Sequence, residues 1–419
     1  MNPPISIALV GAGQRGLHRY GAYIAEHTND AQIIAVAEPK EWNRLEAANR
    51  FNISPDAVFT DWRDLLRSPK KADAVIITTQ DRLHLEPALA FLEAGYSVLL
   101  EKPMATNEAD CRAIAAAAEK SSSIFMVCHV LRYTPYFRKM REIVQSNALG
   151  QIASVRHIEQ VGTLHQAHAY VRGNWRNSEE SSPMILAKSC HDLDILLFIL
   201  GKRCKRLSSF GQLSHFKPAN KPAKASDRCI DCELASSDCH YSATKYYLEK
   251  LKQKNFGWPL EVITSDFTEE GIMKALREGP YGRCVYNGDN NVVDHQVVSM
   301  EFEDGISATF TMTAFALKTQ RRTEIFGSAG ELRGDGESIE VTNFLSGEKT
   351  KIAFTDPETG AVHGHLGGDE GIMADFIDAL RSKDRNLSIS SPAISLESHL
   401  MAFAAERSRL NHTVEEISV

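Results

Sequence analysis

The 419-residue chain lacks an excess of positive charge, long apolar runs and abundant cysteine, and each shortage excludes a class of protein. Lysine and arginine number 47 against 54 acidic residues, a net charge of −7. No cationic field is therefore available to neutralise a nucleic-acid backbone or to hold an anionic membrane, and neither is expected as a partner. The longest apolar run beside a helical pattern, Ile195 to Leu200, falls far short of the roughly 20 residues that span a bilayer, and reads as a core helix. Eight cysteines are too few for a disulfide scaffold. Met1-Asn-Pro-Pro leads straight into an apolar segment with no basic leader or small-residue cleavage site, so the chain reads as cytoplasmic. Internal repeats and low-complexity tracts are also missing. With 43% hydrophobic residues, the chain can fill two cores of ordinary size, and a small molecule is the expected partner.

Residues 5 to 130 alternate short apolar runs with helical patterns, as a parallel sheet covered on both faces requires. Strands are expected at Ile5 to Val10, Gln32 to Ala37, Ala74 to Thr78, Ser97 to Leu100 and Ile124 to Val127. The fold class is α/β: a Rossmann-type, doubly wound parallel sheet over residues 1–132, then an α/β domain over 133–419 with a large open, mainly antiparallel sheet. Within the second unit, strands are expected near 153–160, 294–302, 306–314 and 322–326, and a Cys-rich insertion occupies about 217–290.

Gly11-Ala-Gly13-Gln14-Arg15-Gly16 follows the first strand and opens a helix. In that context a G-x-G-x-x-G turn presents backbone N–H groups at a helix N-terminus to a pyrophosphate. Glu38 ends the second strand, where a carboxylate accepts from adenosine ribose hydroxyls and repels a 2′-phosphate. NAD is therefore expected over NADP, with Lys40 and Arg44 close enough to relax the preference by turning towards a phosphate.

Thr78-Thr79-Gln-Asp-Arg-Leu-His84 and the later Glu101-Lys102-Pro103, just past an apolar strand, resemble the Gfo/Idh/MocA oxidoreductases, the family of glucose–fructose oxidoreductase and inositol dehydrogenase. The resemblance covers nearly the whole chain apart from the Cys-rich insertion. It implies a Rossmann domain followed by an α/β domain whose open sheet pairs between subunits, hence a homodimer or homotetramer. It also implies that Thr79, His84, Glu101 and Lys102 border the cofactor and that the peptide before Pro103 is cis. Independently of it, a lysine at the carboxyl edge of such a sheet can stabilise the alkoxide character that develops as a hydride leaves. His84 either positions the loop beneath the nicotinamide or is a satisfied loop histidine.

Ala187-Lys188-Ser-Cys190-His191-Asp192-Leu-Asp194 opens the next apolar helix. His191 matches the family's candidate acid/base; the acid that often precedes it by four residues is replaced by Ala187, and Lys188 is expected to take part of that role. Asp194 shares a helical face with His191 and could orient it or a substrate hydroxyl. Asp192 is expected to complement the helix dipole. Upstream, His168, Arg172, Trp175 and Arg176 crowd into a loop whose aromatic and donor groups suit a carbohydrate. Tyr133, after the last Rossmann strand, and His365, in a loop expected to end in an Asp369 N-cap, are further substrate candidates. Cys229, Cys232, Cys239 and Cys284 have the spacing of a closed structural zinc site, with Cys190 or Cys204 as alternative fourth ligands and an iron–sulfur cluster or free thiols as the other readings. The insertion lacks an evident apolar pattern, for which a metal could compensate.

Together these residues imply an NAD-dependent oxidoreductase acting on a secondary hydroxyl of a sugar, glycoside or cyclitol. The alternative is a glycoside-cleaving enzyme that uses bound NAD as a transient oxidant through a 3-keto intermediate, elimination, hydration and re-reduction.

Overall fold

The structure is a computed structural model that describes residues 3–69, 72–354, 367–385 and 388–418. Its first sheet has six parallel strands in the order β3-β2-β1-β4-β5-β6: β1 Ile5–Val10, β2 Ala31–Ala37, β3 Val58–Phe59, β4 Ala74–Ile77, β5 Ser97–Leu100 and β6 Phe125–Val127. The apolar runs become central strands because helices cover both faces, so Ala74 to Ile77 are all buried. The edge strand β3 was not expected; its two residues are too few to show a period. The helix Glu108–Lys120 starts at an Asn107 cap, whose Oδ1 accepts the Asp110 N–H at 2.9 Å.

The second sheet is mixed and mainly antiparallel, with nine strands in the order β14-β13-β12-β11-β7-β10-β9-β8-β15. These are β7 Ile152–Gln160, β8 Cys204–Gln212, β9 His295–Phe302, β10 Ser307–Thr313, β11 Gln320–Gly327, β12 Gly330–Gly334, β13 Ser338–Asn343, β14 Lys349–Ala353 and β15 Glu415–Glu416. Only the β7–β10 pairing is parallel. The helix Cys190–Leu200, apolar throughout from Ile195 to Leu200, lies on one face with all eleven residues buried.

Two helices near the end of the chain return to the first half, and the second of them joins it to the other. In Gly368–Ser382, Ile372, Met373 and Phe376 belong to the first core. In Pro392–Asn411, Leu396 and Leu400 enter the first core while Met401, Ala402 and Ala405 enter the second. A division at residue 132 into consecutive halves thus leaves out a return crossing. Asp369 is not the N-cap expected of it: the cap is Gly367, at φ +81°, and Asp369 stands in the first helical turn.

The insertion has a core of its own, in which Ala243, Tyr247, Leu260, Ile272 and Leu276 are fully buried. Its apolar residues are spread over the separate helices Ala243–Lys252, Leu260–Ile263 and Glu269–Glu278, which is why no single periodic stretch announced it.

Candidate active site

The glycine loop leaves β1 at Gly11, whose φ of +89° a side chain would strain and whose added Cβ would stand 2.7 Å from the Thr78 carbonyl oxygen. A Cβ at Gly16 would stand 2.3 Å from the Gly11 carbonyl, so Gly16 permits the close strand–helix packing. At Gly13 a Cβ would meet nothing within 4 Å, leaving backbone open at the helix start, as a pyrophosphate requires. Gln14 is half-buried beside it. Glu38 is buried at the end of β2; Oε2 accepts the Ala12 N–H and Oε1 the Lys40 N–H, both at 2.8 Å. Its position and remaining lone pairs fit the two hydroxyls of an adenosine ribose. Arg44 is not free to turn to a phosphate, because Nη1 donates to the carbonyls of Glu38 at 2.8 Å and Pro39 at 3.1 Å. Glu38→Ala is expected to weaken NAD binding about tenfold to a hundredfold, the loss of hydrogen bonds to a charged acceptor, and to narrow the NAD/NADP ratio in a fluorescence titration.

Arg15, expected at the cofactor, turns beneath the loop instead. Its Nε donates to Glu101 Oε1 at 2.6 Å and its terminal nitrogens to Asp369 at 2.6 and 3.1 Å. Tyr20 donates to the same Glu101 oxygen at 2.6 Å. Burial opposes charge on Glu101, but Arg15 and Lys102 outweigh it and hold the carboxyl below its usual range. The glycine loop, the Glu-Lys-Pro turn and a helix from the far end of the chain are thus locked through one guanidinium.

The Lys102–Pro103 peptide is cis. Lys102 Nζ reaches across to the second unit and donates to the Ala187 carbonyl at 2.8 Å. Ala187, four residues before His191, therefore receives the lysine through its main chain. His84 ties two loops together, its ring nitrogens 2.8 Å from the Pro103 carbonyl and 3.1 Å from that of Thr79. The Thr79 hydroxyl itself bonds the Leu83 carbonyl at 3.4 Å. His191, in the first turn of Cys190–Leu200, is buried and packs edge-on to His129, ring centroids 6.0 Å apart.

Lys188 faces the second sheet. Its Nζ stands 3.0 Å from Glu159 Oε1, and Arg321 Nε lies 3.1 Å from Glu159 Oε2 and 2.7 Å from Asp192 Oδ1. His157 continues the chain, with Nε2 3.1 Å from Asp192 and Nδ1 2.8 Å from the Thr323 hydroxyl. Asp192 therefore does more than complement a helix dipole. Burial opposes its charge, but Arg321 and His157 hold its carboxyl well below the usual range.

Asp194, expected at the substrate or His191, is committed to Arg132, which grips it with two hydrogen bonds of 2.7 Å. Burial raises its carboxyl and Arg132 offsets this only in part. Removing one member of a buried pair strands the other's charge, so Asp194→Ala is expected to cost about 3–5 kcal/mol, read from a urea midpoint. Tyr133 likewise turns inward, its hydroxyl 2.7 Å from Ser390 Oγ.

The aromatic and basic loop also departs from expectation. His168 is buried among Trp258, Tyr247 and Tyr281, with Nδ1 2.6 Å from the Tyr247 hydroxyl; burial, helped by Arg172, pushes its pKa down to about 3. Arg172 donates to the carbonyls of Arg283 at 2.7 Å and Tyr241 at 2.8 Å and to Cys229 Sγ at 3.5 Å. Both are struts of the insertion, because His168 Nδ1 and the Arg172 Nε and Nη2 are spent on its residues and their neighbours. Arg176 pairs with Asp289 through two bonds of 2.9 Å on an exposed loop. Trp175 alone of the four reaches the Rossmann edge, where Nε1 donates to the buried carboxylate of Asp81 at 2.9 Å. His365 lies outside the described residues.

Cys229, Cys232, Cys239 and Cys284 line one cavity of about 230 Å³. Yet among the described residues no three His, Cys, Asp or Glu side chains come close enough together to hold a metal ion. The zinc expectation is therefore unsupported, and the core of the insertion removes the physical reason for it. No helix among the described residues is long and apolar enough to cross a membrane.

Sequence inspection missed His129, Arg132 and His399 as parts of one cluster, together with Arg321 and Glu159. His129 and Arg132 were expected at the domain cleft, just after the last Rossmann strand, but not as partners of His191, His399 or Asp194. His399 sits on a long apolar helix with no local signature.

A glycine turn at a helix start, a buried carboxylate ending the next strand and a lysine at the carboxyl edge of a parallel sheet are the arrangement of an NAD-binding oxidoreductase. Residues 5–129 match the family model described as oxidoreductase family, NAD-binding Rossmann fold, and residues 141–408 match its C-terminal alpha/beta domain, so the chain belongs to the Gfo/Idh/MocA oxidoreductase family. A protein named YteT from Bacillus subtilis (strain 168) is 24% identical over 346 residues, 77% of this chain and 76% of that protein. A 2,7-anhydro-N-acetylneuraminate hydratase from Mediterraneibacter gnavus is 26% identical over 197 residues, 47% of this chain and 50% of that protein. Among solved structures, a levoglucosan dehydrogenase in complex with NADH and levoglucosan superimposes with a TM-score of 0.72 at 18% identity, covering 99% of this chain and 100% of the other.

Proposed function

We propose that the protein oxidises a secondary hydroxyl of a sugar, glycoside or cyclitol with NAD. The observation that carries the reading is the meeting of Lys102 from β5 with the residues around His191 at the cleft edge: the ammonium lies against the main chain of the turn that leads into His191. NAD, when bound, supplies the hydride acceptor, held by the Gly11–Gly16 loop and Glu38. Lys102 leaves the Ala187 carbonyl for the substrate oxygen and stabilises the alkoxide there. His191 takes the hydroxyl proton. Trp175, held against Asp81, walls the cleft from the second unit. Dehydrogenase relatives named for levoglucosan, inositol and D-glucoside support the substrate class.

The relative named as an anhydro-sugar hydratase favours a second reading, redox-neutral cleavage through a 3-keto intermediate. One experiment separates the two: purified protein with NAD and a panel of free sugars, cyclitols and aryl glycosides, followed for NADH and for aglycone release. Stoichiometric NADH supports oxidation; aglycone without NADH supports cleavage; neither signal removes both.

The outer face of the second sheet carries Phe210 on β8 opposite Val297 on β9, 66% and 39% exposed. This supports a homodimer or homotetramer formed through that face. Phe210→Glu is expected to shift the mass measured by light scattering towards the monomer.

A further inference from the structure

His129 is fully buried where β6 turns into the 3₁₀ turn Val130–Tyr133, and among the described residues neither of its ring nitrogens has a hydrogen-bond partner. Three other buried imidazoles are bonded at both nitrogens: His84 to two carbonyls, His157 to Thr323 and Asp192, and His399 to the Ser395 carbonyl and the Met104 N–H. Buried polar groups are rarely left unbonded, and a buried imidazole bare at both nitrogens calls for a role.

The surroundings indicate which one. The His129 ring stands between His191, at 6.0 Å and 81°, and His399, at 5.5 Å and 71°. Its Nδ1 lies 3.6 Å from Asp194 Oδ2, just beyond hydrogen-bond reach. Among the described residues, charged groups acting on it include Lys102 and Glu101 just past β5, Arg132 from its own turn and Asp194 from the His191 helix, and His191 and His399 are its titratable ring neighbours. Burial, Arg132 and Lys102 hold it well below the ordinary imidazole range. It therefore sits neutral, with one N–H and one lone pair, the form that can accept a proton at one nitrogen while releasing another.

We propose that His129 is a proton-relay and positioning residue for His191, linking that candidate acid/base to Asp194. The inference rests on the oxidoreductase reading of Lys102 and His191. On oxidation the hydroxyl proton passes to His191, an N–H of His191 passes to the bare nitrogen of His129, and the N–H at its other nitrogen goes to Asp194 Oδ2. One proton leaves the substrate oxygen and one arrives on Oδ2, whose second lone pair keeps the bond from Arg132 Nε, while Oδ1 keeps its bond from Nη2. After product leaves, the same moves in reverse return the proton through His191 to water.

The test is a histidine-selective NMR titration of the NAD-loaded protein, comparing wild type with His129→Phe and His129→Asn, alongside kcat and KM across pH. The expected result is a His191 midpoint displaced by about one pH unit in His129→Phe, because coupled groups titrate together. With it should come a fall in kcat of about tenfold at unchanged KM and NAD affinity, and partial recovery in His129→Asn. A folded His129→Phe with an unmoved His191 midpoint overturns the relay. If His129→Phe does not fold, the His129→Asn midpoint decides in the same way. A wild type that makes no NADH from the sugar panel defeats the oxidoreductase reading separately, since the titration needs no substrate.

Discussion

Lys102→Ala is expected to lower kcat/KM by about 10²–10³, the effect of removing one preorganised donor from a developing oxyanion, with NAD affinity nearly unchanged. The ammonium meets the facing unit through the Ala187 carbonyl, so the variant loses that interlocking bond and should fold. Lys102→Arg is not expected to restore activity, because a planar guanidinium presents its donors in a different geometry from a compact ammonium. Steady-state NADH formation with the best substrate of the panel, and a fluorescence titration with NAD, give the two numbers. Undiminished turnover in Lys102→Ala would remove the lysine from the chemistry.

His191→Asn is expected to lower kcat by about 10²–10⁴, the usual share of a positioned general base, with a small change in KM. The loss should be greatest at neutral pH and shrink as pH rises, because an alcohol partly ionised by hydroxide no longer needs a protein base. A kcat profile measured across pH for both proteins checks this. Parallel profiles offset by a constant factor would mean that His191 orients the substrate and does not move the proton.

The two sites differ in how far they could be read from sequence. Gly11, Gly13, Gly16 and Glu38 are recognisable because the strand-turn-helix that uses them is local: the requirement for positive φ at Gly11 and for tight packing at Gly16 is set by neighbours a few positions away or by the adjacent strand. Arg15 lies in the same motif and was misread, because its partners Glu101 and Asp369 come from distant parts of the chain. The His168–Arg176 segment shows the same limit. Its composition suits a sugar, but His168 and Arg172 face an insertion whose core is assembled from residues between Cys229 and Tyr281. Nothing in the segment itself distinguishes a donor aimed at a ligand from one aimed at a neighbouring carbonyl.

The cysteines make the point for spacing. Four thiols reach one cavity, as their order suggested, but the spacing of ligands says nothing about whether folded helices bring them within coordination distance. Asp194 does so for charge: its helical face was predictable from its place three residues after His191, whereas its partner Arg132 was not.

By itself, then, the sequence determined the Rossmann half, the glycine turn that opens its first helix and the position of Lys102 at the edge of a parallel sheet. These follow from hydrophobic period, glycine sterics and short connections, all of which act over a few residues. Tertiary structure alone decided that Lys102 meets the Ala187 carbonyl, that Arg132 captures Asp194, and that His129, His191 and His399 share one buried cluster. A buried charge or imidazole takes whichever partner the packing of distant elements delivers, and here a helix near the end of the chain threads both cores to deliver it.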